Sequence, residues 1–390
     1  MRFSALPPVR RAVPLKRGHS GALRSLEHFF GDRKVTLYSS GTAALAQAIA
    51  NCASRSSVKT PEVILPAYGC PDLVAASVHA SVYPRLVDVA TSGWSYDLGA
   101  LKSSLSPNTV AVVAVNLLGI GDGSVELAAL CKEHRISLIQ DSAQHLPRER
   151  IQWSADYVIL SFGRGKPLNL LHGGALASLE EREPASALPV HYSARQRLLS
   201  SRVAALAFNT LTRPSIYGIF SAIPGTGLGE VIYRPLSNPD PLPRQAWTQV
   251  APAFELYRRA PSYRRDLWSA ALQEWSELGL SALTLPGSPL PVEPLRLALL
   301  APDRAVRDTL VDSFNREGLG ASRFYGADLP SVAKIPSTVK LQAPFPNAVA
   351  LADRLFTLPT HGFVNAHTVL TARKLVLAWH RSRKSIPAPP

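Results

Sequence analysis

Short buried-looking strands that alternate with helical spacings constrain this chain more than any other feature. Residues 63–65, 85–89, 110–118, 136–139, 157–162 and 174–179 each read as a strand, with a shorter one at 35–38. Between them the turn at Ser39 opens a helix, residues 71–80 form another, and Ser124 caps a third through His134. That third helix carries Leu127, Leu130 and Cys131 on one side. The alternation predicts an α/β fold, a large domain with a mostly parallel sheet covered by helices on both faces. Ligands of such sheets sit beyond the carboxyl ends of the strands.

The pattern changes along the chain. Residues 20–30 have helical spacing closed by Gly31, residues 190–235 are less regular, and 247–280 read as helical. A Pro-rich stretch at 284–293 reads as a connection. Beyond it come a strand at 295–300, a helix capped by Asp303 and ended by Gly318, and helices at 345–354 and 365–379. The expected organisation is a loose basic, Pro-rich arm (1–17), a large domain (18–283, divergent over 190–235), a smaller α+β C-terminal domain (284–380) and a loose tail (381–390). No internal repeat is present.

With 390 residues, 46% of them hydrophobic and 18% charged, the chain is globular and large enough for two or three domains. A net charge of +14 admits nucleic acid, an anionic membrane or a phosphorylated small molecule as partner. The Lys and Arg residues are scattered, as in the Arg258–Arg259 and Arg264–Arg265 clusters, and no nucleic-acid motif accompanies them, so nucleic acid is not expected. Cys52, Cys70 and Cys131 are odd in number and lack metal-ligand spacing, which suits a reducing compartment and no metal site. No apolar run follows the basic N-terminal residues, and none approaches the ~20 residues that span a bilayer. A cytoplasmic location is expected.

Three clusters carry the chemistry. Ser40-Gly41-Thr42 at a helix start offers free N–H groups, a hydroxyl and a helix dipole, a cradle for phosphate; an ordinary N-cap turn is the structural alternative. Asp141 follows the strand at 136–139, where a carboxylate can hold a pyridinium nitrogen protonated, and Gln144 can bond a ring oxygen; a helix N-cap is the alternative for Asp141. Ser161-Phe162-Gly163-Arg164-Gly165-Lys166 places a lysine among glycines after a strand, able to form an imine with an aldehyde cofactor, with Ser161 and Arg164 in reach of a phosphate. A basic surface loop is the alternative there. The P-loop pattern does not fit, because Pro167 stands where Ser or Thr is required.

In this order the clusters resemble the fold type I, pyridoxal-phosphate-dependent sugar aminotransferases of the DegT/DnrJ/EryC/StrS group. The resemblance takes in residues 40–45, 63–68, 86–89 and 141–144, then Ser161-Phe162, Lys166 and Gly173-Gly174, then 315–325 and 345–361. It implies phosphate contacts from Ser40, Gly41, Thr42 and Ser161, a ring-nitrogen partner in Asp141 and a ring-oxygen partner in Gln144. Lys166 becomes the Schiff-base lysine and proton carrier. It also implies a homodimer with sites at the subunit interface. Cys70 stands where the family often has an aromatic residue stacked on the ring, so Tyr68 is the candidate for that role. His172 replaces an acidic residue before the Gly-Gly pair, and Pro167 replaces Asn after the lysine. A dehydratase branch of the family lacks the lysine.

The function so implied is transfer of an amino group from an amino acid, glutamate in the first instance, to a keto sugar nucleotide in surface or exopolysaccharide synthesis. Two alternatives stand beside it: a non-nucleotide substrate, or a non-catalytic component of a polysaccharide assembly system. For the second, residues 198–223 mix apolar side chains with Arg202 and Arg213, compatible with a membrane surface, a dimer interface or plain core.

Overall fold

The computed structural model describes residues 4–7, 10–17, 27–91, 93–121, 123–179, 194–221, 231–237, 239, 247–259, 266–284 and 294–384. Most of the helix expected at 20–30, the Pro-rich connection and the last six residues lie outside them.

Seven strands make the main sheet: β1 (Lys34–Tyr38), β2 (Glu62–Pro66), β3 (Tyr83–Val87), β4 (Thr109–Val115), β5 (Ser137–Asp141), β6 (Tyr157–Ser161) and β7 (Gly174–Ser178). Their order is β1-β7-β6-β5-β4-β2-β3. The β2–β3, β2–β4, β4–β5 and β5–β6 pairs are parallel, whereas β7 runs antiparallel to both β6 and β1. Because β7 is reversed, its first residue, Gly174, pairs with the last residues of β6 and β1, Ser161 and Tyr38. The carboxyl edge of the sheet therefore gathers Tyr38, Asp141, Ser161 and Gly174 in one place.

Helices α1 (Gly41–Ser54), α2 (Asp72–His79), α3 (Leu98–Ser104) and α4 (Ser124–His134) join these strands. Buried Ala43, Ala44, Ala46 and Ala48 let α1 lie close on the sheet. Two local expectations change. The N-cap of α4 is Gly123, at φ 65°, and Ser124 is already helical. The strand expected to reach Leu118 stops at Val115, because residues 117–119 turn in a short 3-10 helix held by the Gln144 side-chain oxygen, which accepts from the Leu118 N–H at 2.9 Å.

The segment read as irregular holds two helices, α5 (Ala194–Leu211) and α6 (Pro214–Ser221). Its apolar period is faint because polar side chains face the packed side: Ser201 Oγ accepts from the Leu15 N–H, and Asn209 exchanges two hydrogen bonds with the Ala12 backbone. Next come α7 (Trp247–Arg259) and α8 (Asp266–Glu277), followed by α9 (Arg304–Arg316), α10 (Pro346–Arg354) and α11 (Ala366–Lys384). Asp303 caps α9 as expected, accepting from the Val306 N–H. A second sheet, antiparallel in the order β10-β9-β8, contains β8 (Ser281–Ala282), β9 (Arg296–Leu300) and β10 (Leu355–Pro359). Its core unites Trp268 and Trp275 of α8 with Phe314, Phe356 and Val376. Thus α8 shares the smaller core, and β8 its sheet, although both precede residue 284.

The arm expected to hang loose is bound over its described residues. Leu6, Ala12 and Leu15 are buried. Leu6 N–H donates to the Gly318 carbonyl, His361 Nε2 meets the Pro7 carbonyl at 2.7 Å, and Val13 N–H donates to the Asn169 carbonyl. The Asn169 side chain also donates to the Arg10 carbonyl at 2.9 Å. Gly318 and Gly320 have positive φ, and a Cβ on either would collide with the arm's carbonyls, at 2.3 Å from Ser4 and 2.6 Å from Leu6. The arm is a strap across both cores.

Candidate active site

A cleft open to solvent lies at the carboxyl edge of the main sheet. Its walls bring together Gly41 and Thr42 from the start of α1, Asp141 from the end of β5, Gln144, Ser161 from the end of β6, and Lys166. Residues up to 125 positions apart thus meet as the strand ends dictate.

The start of α1 is pressed onto β6. A Cβ on Gly41 would lie 2.8 Å from Ser161 Cβ, so only glycine lets the helix N-terminus and the Ser161 hydroxyl face the same space. Gly174 permits the same approach from the other side, since a Cβ there would stand 2.4 Å from Gly41 N. Ser40 serves as the N-cap, its hydroxyl accepting from the Ala43 N–H at 3.0 Å, and does not line the cleft. The N-cap alternative is therefore true of Ser40, while Gly41 and Thr42 remain for a ligand.

Lys166 follows Gly165, at φ 77°, on a loop anchored by buried Phe162, Leu168 and Leu170. The lysine is half-buried and lines the cleft, whereas Arg164 is exposed and does not. Asp141 Oδ1 accepts from the Ala143 N–H at 3.0 Å, which fixes the carboxylate at the cleft wall. Gln144 is held at both ends of its amide: Oε1 accepts from Leu118, and Nε2 donates to the Tyr325 hydroxyl at 2.6 Å. Tyr68 is buried behind the wall, edge-on to Tyr325 with ring centroids 5.5 Å apart, and does not line the cleft.

Tyr325 and Asp72 are wall residues that escaped the sequence reading as contacts of this site, while Cys70 lines the wall as its place in the family pattern implied. Burial raises the Tyr325 hydroxyl well above the usual phenol range and pushes the Cys70 thiol up to about 12, so both are neutral at neutral pH. Asp72, first residue of α2, accepts from the Thr42 hydroxyl at 3.1 Å. Among the described residues no group of three or more His, Cys, Asp or Glu is placed to hold a metal ion.

The donors and acceptors fit a phosphorylated pyridine aldehyde: hydroxyls and a helix start for the phosphate, a carboxylate for the ring nitrogen, an amine for the aldehyde. Asp72 alone runs against that fit. The main sheet has the architecture of the fold type I pyridoxal-phosphate enzymes. Residues 23–209, just under half of the chain, match the DegT/DnrJ/EryC1/StrS aminotransferase family, the one the motifs resemble. The chain is 28% identical over 149 residues to a dTDP-4-dehydro-2,6-dideoxy-D-glucose 3-dehydratase of Saccharopolyspora spinosa, covering 34% of this chain and 31% of that one. Matched segments span 23% to 36% of the curated relatives compared. In structure the chain resembles Helicobacter pylori PseC, an aminotransferase involved in pseudoaminic acid biosynthesis, at a TM-score of 0.68 and 15% identity, over 97% of this chain and 100% of that one. Bacillus subtilis NtdA, solved with the cofactor PMP bound, is similar at a TM-score of 0.67 and 16% identity, over 94% and 78% of the two chains.

Proposed function

We propose that this protein is a pyridoxal-phosphate-dependent aminotransferase that moves an amino group from an amino acid, glutamate first among them, to a keto sugar nucleotide. The observation that carries this reading is the convergence of Lys166, Asp141, Ser161, Gly41 and Thr42 on one cleft. Pyridoxal phosphate, when bound, supplies an aldehyde for amines and an electron sink for the bonds around the substrate nitrogen. Gly41, Thr42 and Ser161 bind the phosphate and so set the position of the ring. Asp141 keeps a proton on the ring nitrogen. Lys166 Nζ would be the amine that holds the aldehyde and the base that would move a proton between substrate and cofactor. Gln144, clamped between Leu118 and Tyr325, gives the ring oxygen a neighbour that cannot swing away.

Transfer is favoured over dehydration, the reaction of the Saccharopolyspora relative, because Lys166 is present and lines the cleft. A homodimer, a cytoplasmic setting and a place in surface or exopolysaccharide synthesis belong to the same reading. Among the described residues no helix is long and apolar enough to cross a membrane.

The test is visible absorption before and after borohydride, for the wild type and Lys166→Ala, followed by amino transfer to a panel of keto-sugar nucleotides. A visible band abolished by reduction and missing in the variant is expected, with transfer lowered by several orders of magnitude. A wild type that shows no band after addition of pyridoxal phosphate refutes the reading.

A further inference from the structure

Beside the cofactor cleft lies a second, larger cavity of about 540 Å³, open to solvent. Gln144 belongs to the walls of both, and Pro167, the neighbour of Lys166, lines the second. A substrate whose reacting carbon reaches Lys166 therefore has this cavity as room for the rest of its length. That volume falls within the range of about 300–1,000 Å³ that suits a ligand of drug size rather than a small amino acid.

The cavity walls carry two guanidinium groups from distant parts of the chain, Arg10 and Arg148. Arg10 is buried, and its place relative to Lys166 is fixed by the lysine loop itself. Asn169, three residues beyond Lys166, donates to the Arg10 carbonyl, while its own carbonyl accepts from Val13. Arg148 lies over the Tyr257 ring, 4.7 Å from its centroid, and donates to the Tyr257 and Arg258 carbonyls. His145 adds a neutral imidazole, since burial depresses it to about 4. Among the described residues the one carboxylate in the walls, Glu149, is exposed. Leu146, Ile151 and Leu295 complete an apolar surface.

We propose that this cavity is the subsite for the phosphate-bearing end of the substrate, with Arg10 and Arg148 as the residues that recognise it. Guanidinium groups match phosphate oxygens in a planar fork and keep their charge when buried. The assignment rests on the reading of the adjoining cleft, and makes the strapped arm part of the binding machinery.

Calorimetric binding of UDP, and separately of glutarate, to the full chain at one fixed salt concentration tests it. The proteins are the wild type, Arg10→Gln, Arg10→Lys, Arg148→Gln and the exposed control Arg150→Gln, each checked for its melting temperature. UDP is expected to bind the wild type and Arg150→Gln alike, about tenfold or more weakly in the two glutamine variants, and at an intermediate strength in Arg10→Lys. Failure of UDP to bind, or equal binding by all five proteins, overturns the proposal. Glutarate binding that depends on the arginines where UDP binding does not assigns the cavity to a donor carboxylate and overturns it too. This readout requires no turnover. Arginine-dependent UDP binding without the visible band supports the subsite and removes the chemistry; the band without such binding does the reverse.

Discussion

Asp72 is the one side chain in the cofactor cleft whose charge opposes the ligand its neighbours suit. Its carboxylate meets Thr42, a residue offered to the phosphate. Repulsion of a phosphate by an exposed carboxylate at this range costs about 1 kcal/mol after solvent screening. Asp72→Asn is therefore expected to tighten pyridoxal phosphate binding about fivefold, read by titration of the visible band. Weaker binding instead would assign Asp72 to orienting the Thr42 hydroxyl. Gly174→Ala drives a methyl group into the Gly41 and Ser40 backbone, which cannot give way. It should lower stability by about 2–3 kcal/mol, seen as an earlier urea midpoint, and loosen the cofactor. Gly41, Thr42, Asp141, Ser161 and Lys166 were legible as wall residues because each sits at a helix start, at a strand's last residue or a few residues beyond one, a position local sequence specifies. Tyr325 was not. It reaches Gln144 from 181 residues away, and no spacing along the chain encodes that meeting.

At the scale of elements, legibility followed how each one is buried. Strands β2, β4 and β5 have apolar neighbours on both faces and announce themselves as apolar runs. Helix α5 hid because its Ser201 and Asn209 make its contacts with the arm, and a polar residue on a packed face weakens the apolar period. The end of β4 was misplaced because Gln144, from another loop, captures the Leu118 N–H and stops the strand. Asn169 is the pin of the strap, so Asn169→Ala should cost about 2–3 kcal/mol from two lost hydrogen bonds in a buried setting. It should also free the arm for cleavage by trypsin at Arg10 or Arg11. An unchanged rate of cleavage there would show that Leu6 and Leu15 hold the arm without it.

Across the whole molecule, the alternation of strands and helices foretold a mostly parallel sheet, but neither the reversed β7 nor the strand order, which depend on contacts between distant segments. Two buried histidines make the assembly sensitive to acid. His145 and His361 titrate at about 4 when folded, through burial, against 6.5 for the exposed side chain. Between those values the unfolded chain holds more protons, so stability rises with pH across that window and is lost as pH falls from about 6.5 to about 4. The urea midpoint should fall over this range, and His361→Gln should flatten the slope. A wild-type midpoint constant from pH 7 to pH 4 would contradict it.

The strap also bears on the order in which the chain can be completed. Residues 10–15 of the strap meet Asn169, Ser201 and Asn209, whereas Pro7 finds His361 only across 354 positions, so the Leu6–Pro7 end waits for nearly all the rest of the chain. At about 5–20 residues per second that wait is on the order of tens of seconds, far longer than helices and hairpins need to form. The larger core can therefore take up residues 10–15 of the strap first, and the end that carries Leu6 and Pro7 closes last. A bulky fusion ahead of residue 4 would burden that final step while leaving the rest of folding untouched.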